Sequence, residues 1–214
     1  MRPREAMRLA LRDLYANSWR LVPVNAALGV LLFAVGVLTV ASRGALVLAI
    51  VAGPFAAALV HCAVTLVRTG NLVLVDAFDG LRLHWRRGLA LGAAGTALVW
   101  LGFLAVHFYS GSHYTWPLVF VTVYVLLLLG IYQIILWTLA IAEPNRPLRV
   151  VAVEAAALGA GRPGSTLLLG LALLLVNLGG VAAALMPFLT FTIAYSFIAV
   201  AHFALPRPPT EDLV

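Results

Sequence analysis

LVPVNAALGVLLFAVGVLTVAS, residues 21–42, carries no charge and lies between Arg20 and Arg43. A helix needs about 20 apolar residues to cross a hydrocarbon core of about 30 Å, so this stretch is long enough to span a bilayer. It follows a charged segment, exceeds the length of a signal-peptide apolar region and lacks a convincing small-residue cleavage site. It therefore reads as an uncleaved first span. Similar runs follow at 44–67, 89–108 and 118–142, and residues 165–204 are apolar throughout. That last run is too long for one tilted helix. Pro187 disfavours helix at Met186 before it, which divides the run into spans at 166–185 and 188–204. The alternative is one kinked helix followed by a re-entrant piece. The expected fold is all-α and polytopic: six transmembrane helices in three hairpins, within a single domain covering 1–214.

Charge supports that division. All fourteen basic residues are Arg, and all but Arg43 fall in the segments between hairpins or at the termini, together with all eight acidic residues. The last of them are Arg207, Glu211 and Asp212. Retention of Arg and Lys on the cytoplasmic side then puts both termini in the cytoplasm. The net charge of +6 favours anionic lipid headgroups at that face as partners. Nucleic acid is excluded as a partner, because the Arg residues are scattered among apolar neighbours and form no continuous stripe.

Each hairpin is expected to follow an amphipathic interfacial helix. Residues 3–19 place Met7, Leu11, Leu14 and Tyr15 at helical spacing, with Arg4, Arg8 and Arg12 on one flank. Residues 76–87 carry Phe78, Leu81 and Trp85 beside Asp79, Arg82 and Arg86. Residues 147–161 are the weaker third case. Such helices lie apolar face down with Arg at phosphate level. The chain then reads as three units, 4–67, 71–142 and 147–205, with a shared architecture and little residue-level likeness. Tyr109, Tyr114 and Trp116 fit an outer aromatic belt, and Trp19, Trp85 and Trp137 an inner one. Gly88, Gly92 and Gly95 would let a neighbouring helix approach closely, and Gly53-Pro54 predicts a kink in the second span.

Polar side chains within spans need partners away from water, which makes Asn25, His61, Gln133, Asn177 and His202 the candidate site residues. Two readings stand side by side. In one, all but Asn177 line a polar cavity in the inner half of the bundle, where His61 binds a ligand or carries a proton. In the other, each residue makes an interhelical hydrogen bond, worth about 0.6 kcal/mol on average. Enzyme chemistry is disfavoured. No span carries Asp or Glu, Lys is absent, and Ser110 and His113 at the outer turn lack a carboxylate partner. The histidines lack the i,i+4 pairing of a helical zinc site, and Cys62 stands alone, so no metal or cofactor is expected. Arg in place of Lys, with abundant Ala, Gly, Leu and Val, points to a GC-rich bacterial genome.

Trp19, Pro23-Val24-Asn25, Gly53-Pro54-Phe55, Gly70, Asp76-Ala77-Phe78 and Trp85-Arg86-Arg87-Gly88 occur in an order that resembles the YesL-like family of bacterial integral membrane proteins. Ala77 and Val51 depart from that family's pattern, where an aromatic residue and a Thr are expected. The resemblance implies a bacterial plasma-membrane protein, without established function, beside carbohydrate-uptake systems; ABC transporter subunits are the implied partners. It transfers no catalytic residue. The expected function is a non-enzymatic accessory or regulatory component of a transport system, with Asp76, Phe78, Asp79 and Trp85 as its contact surface. The alternative is a small transporter or channel built on the polar cavity.

Overall fold

The computed structural model describes residues 2–183 and 185–206; Arg207, Glu211 and Asp212 lie outside the described residues. Helices account for the secondary structure, with no strand among the described residues. In chain order they are α1 (Pro3–Ala16), α2 (Ser18–Ala41), a 3-10 helix (Arg43–Val51), α3 (Ala52–Thr69), α4 (Leu74–Tyr109), α5 (Trp116–Ala142), α6 (Leu148–Gly161) and α7 (Pro163–Ala182). A short π-helical turn (Phe188–Thr192) then runs into α8 (Ile193–Ala204).

Local chemistry sets these boundaries. Proline opens α1, α5 and α7 within the first two positions, where its missing N–H costs no hydrogen bond. Gly70 ends α3 in the left-handed conformation, φ 71°, and its N–H bonds the Leu66 carbonyl at 2.9 Å. Asp76 then opens α4 by accepting the Val73 N–H at 2.7 Å from the third helical position.

Five segments are long and apolar enough to cross a membrane: Ser18–Ala41, Arg43–Thr69, Leu74–Tyr109, Trp116–Ala142 and Pro163–Ala182. The surface agrees. Phe103, Leu104, Phe108, Phe120, Val121 and Leu175 are among many large apolar side chains left exposed. Contiguous apolar exposure on this scale is foreign to a protein surrounded by water and natural in lipid. The shorter apolar segment Phe188–Ala204 lies antiparallel to α7, with Asn177 bonded to Ser196 and Gly180 against Phe188 and Thr192. The chain therefore reverses between α7 and α8, at Leu185 with φ 66°, one residue before the Met186-Pro187 pair.

The charged segments meet at one end of the bundle. Arg20 donates to Asn71 Oδ1 at 2.9 Å and to the Leu72 carbonyl, closing the α3–α4 turn. Arg68 donates to the Ala142 carbonyl, and Arg87 to the carbonyls of Ala140, Glu143 and Arg146. Two cations thus satisfy two of the orphan carbonyls at the C-terminus of α5, those of Ala140 and Ala142, where the helix dipole also favours positive charge. Arg146 pairs with Glu143 and Glu154, and those two carboxylates raise its guanidinium further above its ordinary pKa, Glu143 most. Arg43 stands apart near the α2 C-terminus, over the Phe103 ring at 5.3 Å.

Four expectations need correction. Residues 76–87 are not a separate interfacial helix but the first turns of α4, which is continuous for 36 residues. At about 1.5 Å per residue it runs about 54 Å, well beyond an apolar core of about 30 Å. It stays helical because Gly80, His84 and Gly88 face inward and are buried, Gly80 and Gly88 directly against α3, through the expected junction. In α1 the buried strip is Pro3, Ala6, Ala10 and Leu14, while Leu11 and Tyr15 are exposed. The small Ala side chains let α1 lie against α8, where Tyr195 donates to the Met7 carbonyl at 3.3 Å. Trp137 is a core residue, 8 % exposed, rather than part of an interfacial belt. Finally, Gly53-Pro54 does not kink an α-helix. Pro54 sits in the first turn of α3, and the chain before it is the 3-10 helix.

Candidate functional site

Two faces of glycine, alanine and histidine bring α3 and α4 together. Gly53, Ala57 and His61 recur every fourth residue on α3, and Gly80, His84, Gly88 and Gly92 do so on α4. A Cβ at Gly88 would stand 2.8 Å from the Gly53 carbonyl oxygen and 2.9 Å from Pro54 Cα; one at Gly92 would stand 3.1 Å from Gly53 Cα. Backbone meets backbone at that crossing, so no side chain fits. Gly95, the third glycine of the expected set, instead faces the Gln133 side chain.

The charged end of the same interface holds a histidine pair. His61 Nδ1 and His84 Nε2 lie 3.2 Å apart, and His84 is 2 % exposed. His84 Nδ1 is buried without a hydrogen-bond partner. The tautomer with His84 Nε2–H donating to His61 Nδ1 leaves a bare lone pair there, whereas the opposite one buries an orphan N–H. A headgroup-level helix over residues 76–87 gives His84 no inward role, which is why the sequence does not single it out. Its place on the Gly80-x3-His84-x3-Gly88 stripe is the signal that marks it as inward-facing.

The other polar residues are engaged one by one. Asn25, fully buried on α2, donates to the carbonyls of Phe188 and Leu189, both at 2.9 Å, and accepts the Ala194 N–H at 2.7 Å. It thereby repairs the backbone where the π-turn interrupts regular helix bonding. Gly29, one turn further along α2, lets the π-turn approach; a Cβ there would lie 3.1 Å from Leu189 Cα. Asn177 donates to the Leu173 carbonyl at 2.8 Å and to Ser196 Oγ at 2.7 Å. His202 Nε2 meets Asp13 Oδ2 at 2.8 Å, joining α8 to α1. Gln133 Nε2 donates to the Leu91 carbonyl at 3.2 Å. The structure thus brings His61 to His84, and leaves Asn25, Gln133, Asn177 and His202 at four separate contacts.

A cavity of about 550 Å³ lies between α2, the 3-10 helix, α3, α4, α5 and α8. Of the five candidate residues only Gln133 lines it; Leu28, Gly53, Gly92, Trp137 and Phe197 are among its apolar walls. Among the described residues, no group of three or more His, Cys, Asp or Glu side chains is placed to hold a metal ion.

The second candidate set lies on the extension of α4. Phe78 is 72 % exposed, Leu83 65 % and Trp85 46 %, and Asp79, Arg82 and Arg86 are exposed among them. Arg86 stacks over the Trp85 ring at 5.2 Å. Asp76 belongs to the helix cap already described, so its first role is structural.

Fold and surface together define an all-helical protein with five helices suited to crossing a membrane. No protein-family model matches the chain, and neither a curated protein nor a solved structure matches it.

Proposed function

We propose that this chain is a non-enzymatic, multi-pass protein of the bacterial plasma membrane that serves as an accessory or regulatory component of a transport system, with carbohydrate as the class the YesL-like resemblance implies. In this reading Phe188–Ala204 is the sixth span, the six form three hairpins, and the Arg-rich end with both termini faces the cytoplasm. The observation that carries it is the α4 extension, which holds Phe78, Leu83 and Trp85 exposed beyond the length of a span, with Asp79, Arg82 and Arg86 interleaved. An aromatic and charged surface on a rigid helix suits contact with another membrane-protein subunit at the cytoplasmic side. The separate engagement of Asn25, Asn177 and His202 gives a shared polar path through the bundle less support.

The test is isolation of the tagged protein from its native host in mild detergent, with mass spectrometry of what accompanies it. A transporter subunit in stoichiometric amount, lost in Phe78→Ala and Trp85→Ala, is the expected result. Recovery of the protein alone, or of the same subunit undiminished in both variants, would overturn the proposal. In the first case the next assay is solute flux into liposomes containing this protein alone.

A further inference from the structure

The 550 Å³ cavity falls in the size range of pockets for small molecules, about 300–1,000 Å³. It lies where neighbouring helices fit poorly. The 3-10 helix places Leu46 and Ala49 on one wall, and Gly130, where a Cβ would meet nothing within 4 Å, leaves the α5 wall open. Val99 and Gly130 on its wall are exposed, so the space is reachable from outside the bundle.

What fills it follows from its chemistry. Thr96, Gln133 and the indole N–H of Trp137 are the polar side-chain groups among its lining residues, and no Arg, His, Asp or Glu lines it. Water at about 30 Å³ per molecule needs two to four polar partners each, which three side chains cannot supply to a space this large. A charged headgroup finds no counter-charge. An apolar body fits the walls, and Gln133 marks where its one polar group belongs. Only the amide NH2 can bond the Leu91 carbonyl, so the orientation of the Gln133 amide is fixed and its Oε1 is turned away from Leu91. Among the described residues no hydrogen bond reaches that oxygen, and its residue lines the cavity. It is an acceptor awaiting a donor.

From this we infer that the cavity is a binding site for a free, neutral, long-chain lipophile with one hydroxyl group, whose chain lies along Leu28, Gly92 and Trp137 and whose O–H donates to Gln133 Oε1. This site is independent of the α4 contact surface and goes beyond the accessory role. The same hydrocarbon chemistry has a second source, the acyl tail of a bilayer phospholipid, and the experiment separates the two.

Trp137 lines the cavity and reports on it. The full chain, with Trp19, Trp85, Trp100 and Trp116 each changed to Phe, is placed in phospholipid nanodiscs and titrated with a dibrominated long-chain alcohol. Saturable quenching of Trp137 is expected. The matched dibrominated alkane should need about fivefold more to half-saturate, the worth of one ordinary hydrogen bond. Gln133→Leu should abolish that preference, leaving the Leu91 carbonyl to its helix. Gly130→Phe should remove the saturable quenching, since a Cβ at Gly130 meets nothing within 4 Å and the ring would occupy the space. Gly130→Leu serves if the Phe variant does not fold. Quenching that rises without saturation and is unchanged by either Gly130 variant overturns the proposal, as does an alcohol preference that survives Gln133→Leu. Nanodiscs of brominated phospholipid supply the last arm. Strong Trp137 quenching there that added unlabelled alcohol does not relieve assigns the cavity to bilayer tails and also overturns it; relief by the alcohol supports it.

Discussion

Asn25→Leu should destabilise this protein more than any other single substitution of a polar residue within its spans. Asn25 makes three hydrogen bonds, all to backbone of the segment 188–194, and none of its surface reaches solvent. Hydrogen bonds between membrane helices average about 0.6 kcal/mol, so three amount to about 2 kcal/mol. Ala194, 1 % exposed, would also be left with an N–H that has lost its acceptor, a further cost of about 1 kcal/mol or more. The expected loss is therefore about 3 kcal/mol. Asn177→Leu is the internal comparison. It removes one bond within its own helix and one to Ser196, so its cost should stay near 1 kcal/mol. Asn25→Asp sharpens the test, because it keeps the acceptor for Ala194 but sets a carboxyl group against two carbonyl oxygens. It should be no more stable than Asn25→Leu at neutral pH. Reversible denaturation by SDS in mixed micelles, followed by far-UV circular dichroism, measures all three. An Asn25→Leu midpoint indistinguishable from that of Asn177→Leu would refute the assignment of Asn25 as the residue that completes the broken backbone.

Gly88→Val should destabilise by about 3 kcal/mol or fail to fold, since its Cβ meets the Gly53 carbonyl and Pro54 Cα, whereas Gly36→Ala meets nothing within 4 Å and should be neutral; thermal unfolding in detergent compares them. Arg87→Lys should cost about 1–3 kcal/mol, because one ammonium cannot reproduce a guanidinium shared among three carbonyls, and Arg82→Lys, exposed on the same helix, should cost little by the same measurement. Phe78→Ala and Trp85→Ala should leave the thermal midpoint within about 1 °C of the parent, which is what makes them usable in the association test; a large drop would mean that their side chains are part of the fold.

Much of the architecture was legible because a bilayer asks simple questions of a chain. Length and polarity decide which runs can cross, so the long apolar segments and the break at Met186-Pro187 follow from the residues alone. The glycines at 88 and 92 were legible for a similar reason: lacking side chains, they mark where another backbone comes near. The site was far less so. Asn25, His61, Gln133, Asn177 and His202 were recognisable as polar groups in need of partners, but nothing local names the partner. Asn25 and Ala194 are separated by most of the chain and meet only because α2 crosses the π-turn. The arginines carried two meanings at once. Their placement between apolar runs gave the expectation of a cytoplasmic side, while the bonds of Arg20, Arg68 and Arg87 to distant carbonyls depended on which helix ends the packing brought together.

The sequence by itself determined that this is a helical protein with apolar runs of spanning length and with every charge but that of Arg43 in one set of segments, because hydrophobicity and helical rise act residue by residue along the chain. Only the tertiary structure decided that α4 continues unbroken through the charged end, that Trp137 turns inward, that His61 finds His84, and that the 3-10 helix leaves a cavity beside Gln133. Those outcomes depend on the mutual fit of helix faces far apart in sequence, and fit belongs to pairs of surfaces rather than to either one.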